Sequence, residues 1–198
     1  MSRFIETICL IDGRIEHVAY HQARMDEAVA VFFGDSKKID LAAFLDTCPV
    51  PSIGRHRIRL VYDREIVSVQ IISYKPKAIG RIKIVDGTAL SYAYKFEDRA
   101  AIEDLLSTRG DCDEVIIAQD GRITDASMAN LVFKRKDQWV TPASFLLNGT
   151  TRRRLLNEKR IIEDEITIDD LNRFEKVKLI NAMLQWEGAE IDVSQIVR

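Results

Sequence analysis

Cysteine is scarce in this sequence, and its three copies show no spacing that would build a disulfide framework or a metal site. Cys9, Cys48 and Cys112 are far apart, and neither a CxxC pair nor a Cys/His cluster accompanies them. We therefore predict small buried thiols in a reducing compartment and no bound metal.

Long apolar runs and an export signal are also lacking. The longest apolar run near the start, 28–33, is far shorter than the roughly 18 residues needed to span a bilayer. The first residues reach Asp12 without the basic start, long apolar centre and small-residue cleavage site of a secretion signal. We therefore expect a cytoplasmic protein that has no membrane partner.

Neither sign of charge is in excess. The 198 residues include 29 lysines and arginines and 31 aspartates and glutamates, so no net positive field attracts nucleic acid phosphates. The run Arg152 to Arg154 opens a predicted helix, and such a run is more typical of a solvated helix face than of a nucleic acid patch. Nucleic acid is therefore not an expected partner.

Turn signals and hydrophobic spacing in the first half predict a hairpin followed by a helix. Asp12-Gly13 is a hairpin turn signal between apolar strands over 4–10 and 14–18. From His21 onward, apolar residues recur at helical intervals until Gly34. The remaining predicted elements of this half are a helix over 40–46 and strands over 57–61 and 66–72.

The second half predicts a strand near 81–85, a helix from Glu97 to Gly110 just after Lys95, and then a sheet-rich region. Four short strands joined by tight turns are expected over 114–118, 122–124, 131–134 and 139–141. The last elements are a helix over 150–157, the segment 161–166, a helix near 169–174, a strand over 177–180 and a short tail.

The best boundary in the chain is Lys75-Pro76-Lys77. Proline disfavours regular structure in the residue before it, and charged residues flank it on both sides. Because strands and helices are segregated, we predict an α+β fold with two unequal lobes, over residues 1–76 and 80–198. The larger lobe would carry Lys95.

Gly149-Thr150-Thr151 lies at the start of a predicted helix. A flexible backbone, amide donors and two hydroxyls at the positive end of a helix dipole suit a phosphate group. Ordinary helices begin with the same residue types, so this pattern alone leaves a phosphate site and a simple cap as alternatives.

Six sequence blocks follow one another along the chain. They are FIET at 4–7, HQAR at 21–24, YKFEDR at 94–99, DGRITDASMAN at 120–130, TP at 141–142 and LNGTTR at 147–152. In order and spacing these blocks resemble the class IV aminotransferase family. This family comprises the fold type IV enzymes that use pyridoxal phosphate (PLP), including branched-chain and D-amino acid aminotransferases and aminodeoxychorismate lyase. The resemblance implies a two-lobed D-amino acid aminotransferase-like PLP-dependent fold.

The resemblance assigns the reacting groups. Lys95 is implied as the Schiff-base lysine, whose amine holds the cofactor aldehyde and later moves the proton at the substrate α carbon. Asp125 occupies the position of the carboxylate that keeps the pyridine nitrogen protonated. The family usually has glutamate there, so the shorter side chain predicts either a closer ring or a bridging water.

Phosphate and substrate contacts follow from the same resemblance. Arg24 is implied as a phosphate ligand, together with the amides and hydroxyls of the Gly149-Thr150-Thr151 segment. Asn181 stands where transaminase branches usually have threonine or serine, and we expect it to touch the phosphate or the substrate.

Each of these residues also has a structural alternative. Considered without its block, Lys95 would be a solvated surface charge, Asp125 a turn cap and Arg24 a helix-surface residue. His21, in the same block as Arg24, is interpreted as structural.

The lead function implied by the resemblance is that of an aminodeoxychorismate lyase. Such an enzyme releases pyruvate from 4-amino-4-deoxychorismate to give 4-aminobenzoate, a step of folate biosynthesis. A homodimer is also implied, with the partner chain lining each substrate pocket and the cofactor between the lobes. Two alternatives stay open, an aminotransferase of branched-chain or D-amino acids and an inactive cofactor-binding relative. The second is retained because the chain starts at the first hairpin, where the family has a leading strand and loop.

Overall fold

The computed structural model describes residues 2–34 and 38–198, and the chain divides into two compact units. The first unit consists of the chain up to Pro76 together with Tyr94–Asp98. The second consists of Lys77–Ala93 and Arg99–Arg198. Mixed helix and sheet in both units confirm the predicted α+β class.

Tyr94–Asp98 differs from the prediction, which placed Lys95 in the second lobe. The Phe96 ring lies 5.2 Å from the Phe4 ring. The Ile5 N–H donates to the Lys95 carbonyl at 2.9 Å. Because these contacts pair the segment with the first strand, the helix predicted from position 97 begins only at Ala100.

The first unit is an antiparallel sheet with two helices packed against it. Its elements are β1 (Phe4–Ile11), β2 (Arg14–Ile15), α1 (Val18–Phe33), α2 (Leu41–Asp46), β3 (Arg55–Tyr62) and β4 (Ile66–Ser73). The strand order is β2-β1-β3-β4. Hydrophobic residues of the sheet and helices share one core, made of Phe4, Ile8, Leu10, Met25, Ala28, Val29, Leu41, Leu45, Ile58, Leu60 and Tyr62.

Short-range signals account for the boundaries of these elements. Asp12 (φ 47°) and Gly13 (φ 80°) both adopt the left-handed conformation that a tight hairpin turn of this type requires, which confirms the predicted hairpin. Gly34 (φ 66°) ends α1 at the predicted position. The Asp40 side chain accepts a hydrogen bond from the Ala43 N–H at 3.0 Å and so caps α2.

The second unit contains a larger, mixed sheet with two α-helices. Its elements are β5 (Ile82–Asp86), α3 (Ala100–Ser107), β6 (Glu114–Gln119), β7 (Arg122–Ala126), β8 (Asn130–Arg135), β9 (Gln138–Pro142), α4 (Thr150–Asn157), β10 (Ile162–Asp164), β11 (Lys176–Ile180), β12 (Glu190–Asp192) and β13 (Ile196–Val197). The main strand order is β10-β9-β8-β7-β6-β5-β13, and β11 pairs with β8 and β12.

The pairing of β7 with β8 is centred on two residues of the predicted site. In their register Asp125 faces Asn130, and the short connection between these residues reverses the chain. On one side of this pair the sheet continues through β6 and β5, and on the other through β9 and β11. The pair therefore joins two parts of one sheet.

The end of the chain differs from the expected short tail, and the expected helix before it is present as a 3-10 helix. The expected tail instead contributes β12 and β13, and Ile196 of β13 pairs in parallel with Ile82. The expected helix near 169–174 is a 3-10 helix over Ile168–Arg173, capped by reciprocal hydrogen bonds between Thr167 and Asp170. Within the described ranges, no helix is both long enough and apolar enough to cross a membrane.

Candidate functional site

The backbone of Lys95 is fixed by its neighbours in the first unit. Its side chain is half-buried, and its carbonyl accepts the bond from β1. Tyr94 and Phe96 on either side both pack an aromatic ring against Phe32 of α1, with centroids 5.0 and 5.6 Å apart. Lys95 thus lies in a short segment that is anchored by an aromatic ring on each side of it.

The buried Glu6 carboxylate bonds two residues of the HQAR block in α1. Glu6 of β1 accepts hydrogen bonds from Arg24 Nε at 2.8 Å and Arg24 Nη2 at 2.6 Å. The Nδ1 atom of His21, one helical turn earlier in α1, also contacts Glu6. His21, interpreted as structural, and Arg24, predicted to bind phosphate, are therefore oriented by one carboxylate.

The charge of this cluster follows from its burial and its partners. Burial alone would raise the pKa of Glu6, but the Arg24 guanidinium and the bonds from His21 and Arg24 outweigh burial and lower this pKa to about 2. Burial, together with the nearby Glu6 charge, raises the pKa of the Tyr62 hydroxyl. Glu6 is therefore ionised and Tyr62 neutral near pH 7.

Replacing Glu6 with glutamine is expected to lower the free energy of unfolding by about 3 kcal/mol at pH 7, because it leaves the Arg24 guanidinium buried without its counter-charge. The depressed pKa makes Glu6 stabilise the fold above its ordinary pKa of 4.5, and this contribution is lost as the pH falls towards 2. In Glu6→Gln, the free energy of unfolding should not show this loss between pH 4.5 and 2. Urea unfolding at several pH values measures both effects.

Glu97 offers the matched control. It lies in the same unit and meets Arg59 at 3.4 Å, but it is 34% exposed in its side chain. Glu97→Gln should cost less than about 1 kcal/mol, since exposed ion pairs contribute little. Equal losses for both variants would mean that burial of the Glu6 cluster does not govern stability.

In the second unit, Asp125 is buried and held by three donors. Asn130 Nδ2 donates to Oδ1 at 2.7 Å, and the Leu146 and Leu147 N–H groups donate to Oδ2 at 3.1 and 2.8 Å. An ionised carboxylate offers about four acceptor positions, so these bonds fix its orientation and leave capacity for one further donor. The turn-cap alternative does not describe this geometry, because the donors come from β8 and a distant loop.

Burial dominates the acidity of Asp125. It raises the pKa of this carboxyl to about 6, although the bonds from Leu147 and Asn130 and the positive charge of Arg152 oppose the rise. The ionised form is therefore short of positive partners. A cation placed beside this carboxyl would lower its pKa again.

Asn130 connects Asp125 to the start of α4. Its Nδ2 also donates to the Leu147 carbonyl at 2.8 Å. A Cβ atom at Gly149 would lie 2.0 Å from the Asn130 Oδ1, so a larger residue there would displace this side chain. Asn130 lies in the DGRITDASMAN block, but the sequence pattern does not predict this role.

The first turn of α4 is buried as well. Thr150 and Thr151 are 5% and 3% exposed. A helix leaves its first N–H groups without partners inside the helix, and those of α4 lie beside Gly149, which forms no side-chain cap. Amide and hydroxyl donors thus meet at the positive end of the helix dipole.

The solvated face expected for Arg152 to Arg154 is wrong. Arg152 and Arg154 are 2% and 8% exposed. Their guanidinium groups are buried because neighbouring segments supply partners, among them the Pro142 carbonyl at the end of β9 for Arg152 and the Gln185 side chain for Arg154. These arginines therefore form hydrogen bonds in the interior of the second unit.

Asn181 caps a turn. Its Oδ1 accepts from the Met183 and Leu184 N–H groups at 2.9 and 2.8 Å, and its Nδ2 donates to the Met128 carbonyl at 3.1 Å. These bonds link the turn after β11 to the β7–β8 connection. The expected contact of Asn181 with phosphate or substrate stays a prediction.

The predicted site residues thus form two groups. Lys95 and Arg24 belong to the first unit, whereas Asp125, Gly149, Thr150, Thr151 and Asn181 belong to the second. Within the second group, Asn130 brings Asp125 and Gly149 together.

Comparison with known proteins identifies the family. A protein of Haemophilus influenzae named "Uncharacterized protein" is 35% identical over 185 residues, which cover 92% of this chain and 98% of that protein. The family model for amino-transferase class IV matches residues 98–189. The chain belongs to the class IV aminotransferase family. The resemblance stated from the sequence blocks is confirmed.

Solved structures agree with this membership. The "putative 4-amino-4-deoxychorismate lyase" of Haemophilus somnus is 34% identical, covers 92% of this chain and 97% of its own, and superposes with a TM-score of 0.86. A hypothetical aminotransferase from Mycobacterium tuberculosis in its PLP-bound form has a TM-score of 0.76 at 18% identity, covering 96% of this chain and 80% of its own. The second likeness shows the fold alone, and the predicted fold type is confirmed.

Proposed function

We propose that this class IV aminotransferase family member is a PLP-dependent lyase that releases pyruvate from 4-amino-4-deoxychorismate and leaves 4-aminobenzoate. The observation that carries the proposal is the likeness to the Haemophilus somnus protein, which extends over 97% of that chain at 34% identity. The name of that protein includes this lyase activity. The family name alone would leave transamination equally favoured.

The donor groups of the second unit fit PLP. A pyridine nitrogen that carries a proton is the cation that the buried Asp125 carboxyl lacks. The buried first turn of α4, with Thr150, Thr151 and the Cβ-free Gly149, suits a phosphate. Aldehyde chemistry needs an amine, which Lys95 supplies.

When bound, PLP supplies a ring that accepts electrons from the substrate carbon. Lys95 would hold the cofactor through its amine and, once the substrate amine takes its place, move the proton at the carbon that bears that amine. Asp125, oriented by Asn130 and two backbone amides, would keep the ring nitrogen protonated. Loss of that proton would weaken the ring as an electron acceptor.

Phosphate binding would anchor the cofactor. Arg24, oriented by Glu6, would add its charge to the α4 donors. Asn181 is proposed as a further contact of phosphate or substrate. A cytoplasmic homodimer, whose partner chain lines each pocket, completes the proposal.

The reaction is tested by incubating the protein with 4-amino-4-deoxychorismate and measuring the released pyruvate in an assay coupled to lactate dehydrogenase. We expect pyruvate and 4-aminobenzoate in equal amounts without any added 2-oxo acid. Turnover that requires a 2-oxo acid, with D-alanine or branched-chain amino acids as donors, would replace the lyase with an aminotransferase. Bound cofactor without turnover of any of these substrates would indicate an inactive relative.

A further inference from the structure

Arg152 is a buried cation that the proposed reaction does not yet use. It lies in the first turn of α4, and its side chain is 3% exposed. Burying a guanidinium is costly unless its donors are satisfied, so its partners indicate what it stabilises. Besides Glu163, those partners belong to the loop between β9 and α4, residues 143–149, and to the strand end that precedes this loop.

Two contacts connect Arg152 to this loop, and a third connects it to the strand end before the loop. Its Nη2 donates to the Pro142 carbonyl at 3.0 Å, at the end of β9. Its guanidinium carbon lies 4.4 Å from the centre of the Phe145 ring, and its Nη1 contacts Asn148 Oδ1 at 3.4 Å. The arginine therefore contacts the strand end before the loop, the middle of the loop and its end.

The same loop supplies two of the donors to Asp125. The Leu146 and Leu147 N–H groups, which bond Oδ2, directly follow Phe145. A planar guanidinium can stack on a ring and donate to a carbonyl together, whereas a lysine ammonium presents one point charge. Loop position and Asp125 orientation are thus linked through Arg152.

We infer that Arg152 is a positioning residue: it fixes the 143–149 loop so that the Leu146 and Leu147 amides hold the Asp125 carboxylate ready for the cofactor ring. Its importance for the cofactor rests on the proposed function. The hydrogen bonds themselves exist independently of cofactor binding.

Arg154 provides a matched control for Arg152. It lies two positions later in α4, is also buried, and its Nε, like that of Arg152, has no hydrogen-bond partner among the described residues. It bonds Glu158 and Gln185 rather than the loop. Arg152→Lys and Arg154→Lys therefore make the same chemical change in the same helix, with different neighbours.

Hydrogen exchange of the Leu146 and Leu147 amides, measured on the full chain, tests the inference. In Arg152→Lys we expect both amides to exchange about tenfold faster than in the wild type, because the loop opens more often. The PLP dissociation constant should rise about fivefold, as expected when a fixed geometry loosens. Arg154→Lys should change neither quantity more than about twofold.

Equal exchange in Arg152→Lys and Arg154→Lys would overturn the inference. If Arg152→Lys does not fold, Phe145→Ala decides instead, since Phe145 is 39% exposed and its removal leaves the core intact. Faster Leu146 and Leu147 exchange is expected there, and unchanged exchange would overturn the inference. A wild type that binds no PLP would defeat the proposed function, while the exchange rates would still decide the role of Arg152.

Discussion

Lys95→Ala is expected to remove the absorption near the violet edge of the visible range that the imine between Lys95 and PLP would give. It should also lower kcat/KM for pyruvate release by about 10³-fold or more. One side chain would supply both the amine that holds the aldehyde and the group that moves the proton, so its removal eliminates both. The fold should persist, because the Lys95 carbonyl and the rings of Tyr94 and Phe96 form the anchoring contacts. Absorption spectra and steady-state kinetics measure the effect.

Lys75→Ala is the control for this experiment, since Lys75 is an exposed lysine of the same unit. It should keep both colour and rate. Borohydride reduction followed by peptide mass analysis should place the cofactor mass on the peptide that contains Lys95. A yellow Lys95→Ala protein, or a cofactor mass on a different lysine, would refute the assignment.

Asp125→Asn is expected to lower kcat by about 10²-fold, the scale of losing a positioned charge at a reacting centre. Because the pKa of Asp125 is about 6 in the protein without cofactor, PLP affinity of the wild type should weaken as the pH falls below 6. The variant should lack this loss, since an amide does not titrate. Fluorescence titration with PLP between pH 5 and 8 gives the comparison.

The raised pKa also predicts an effect on stability. Without cofactor, Asp125 favours the folded state below its unfolded pKa of 3.8, and this contribution is lost as the pH rises to about 6.

Asp113 supplies the control for the PLP titration, because its Oδ2 accepts two backbone N–H groups, from Gly80 and Arg81, in an exposed position. Asp113→Asn should leave PLP affinity and its pH dependence unchanged. If PLP affinity depends on pH in the same way in the wild type, Asp125→Asn and Asp113→Asn, Asp125 is excluded as the counter-ion of the ring.

The parts of the fold that follow local rules could be predicted from the sequence. The hairpin at Asp12-Gly13 depends on two residues that readily adopt positive φ, and α1 depends on apolar spacing that ends at Gly34. By contrast, β13 is two residues long and exists because it pairs with β5, far away in the chain. A pattern of two residues carries no periodicity, so no local rule could reveal it.

The site shows the same division. The blocks around Lys95 and Asp125 predict their roles because they resemble those of a family, but the sequence does not show which contacts hold these residues. The interior position of Arg152 depends on a carbonyl and a ring from a loop, and arginine is ordinarily exposed. The bonds of Glu6 to Arg24 likewise connect residues 18 positions apart.

The pairing of Asp125 with Asn130 limits how the chain can vary in length. The four residues between them must reverse direction while keeping the two side chains opposed, and Ser127 in this connection is further tied to Glu114 and Arg99. An insertion or deletion at 126–129 would shift the register of β8 against β7 and carry the acid away from the start of α4. Evolutionary gain or loss of residues should therefore be tolerated in outer loops but not in this connection.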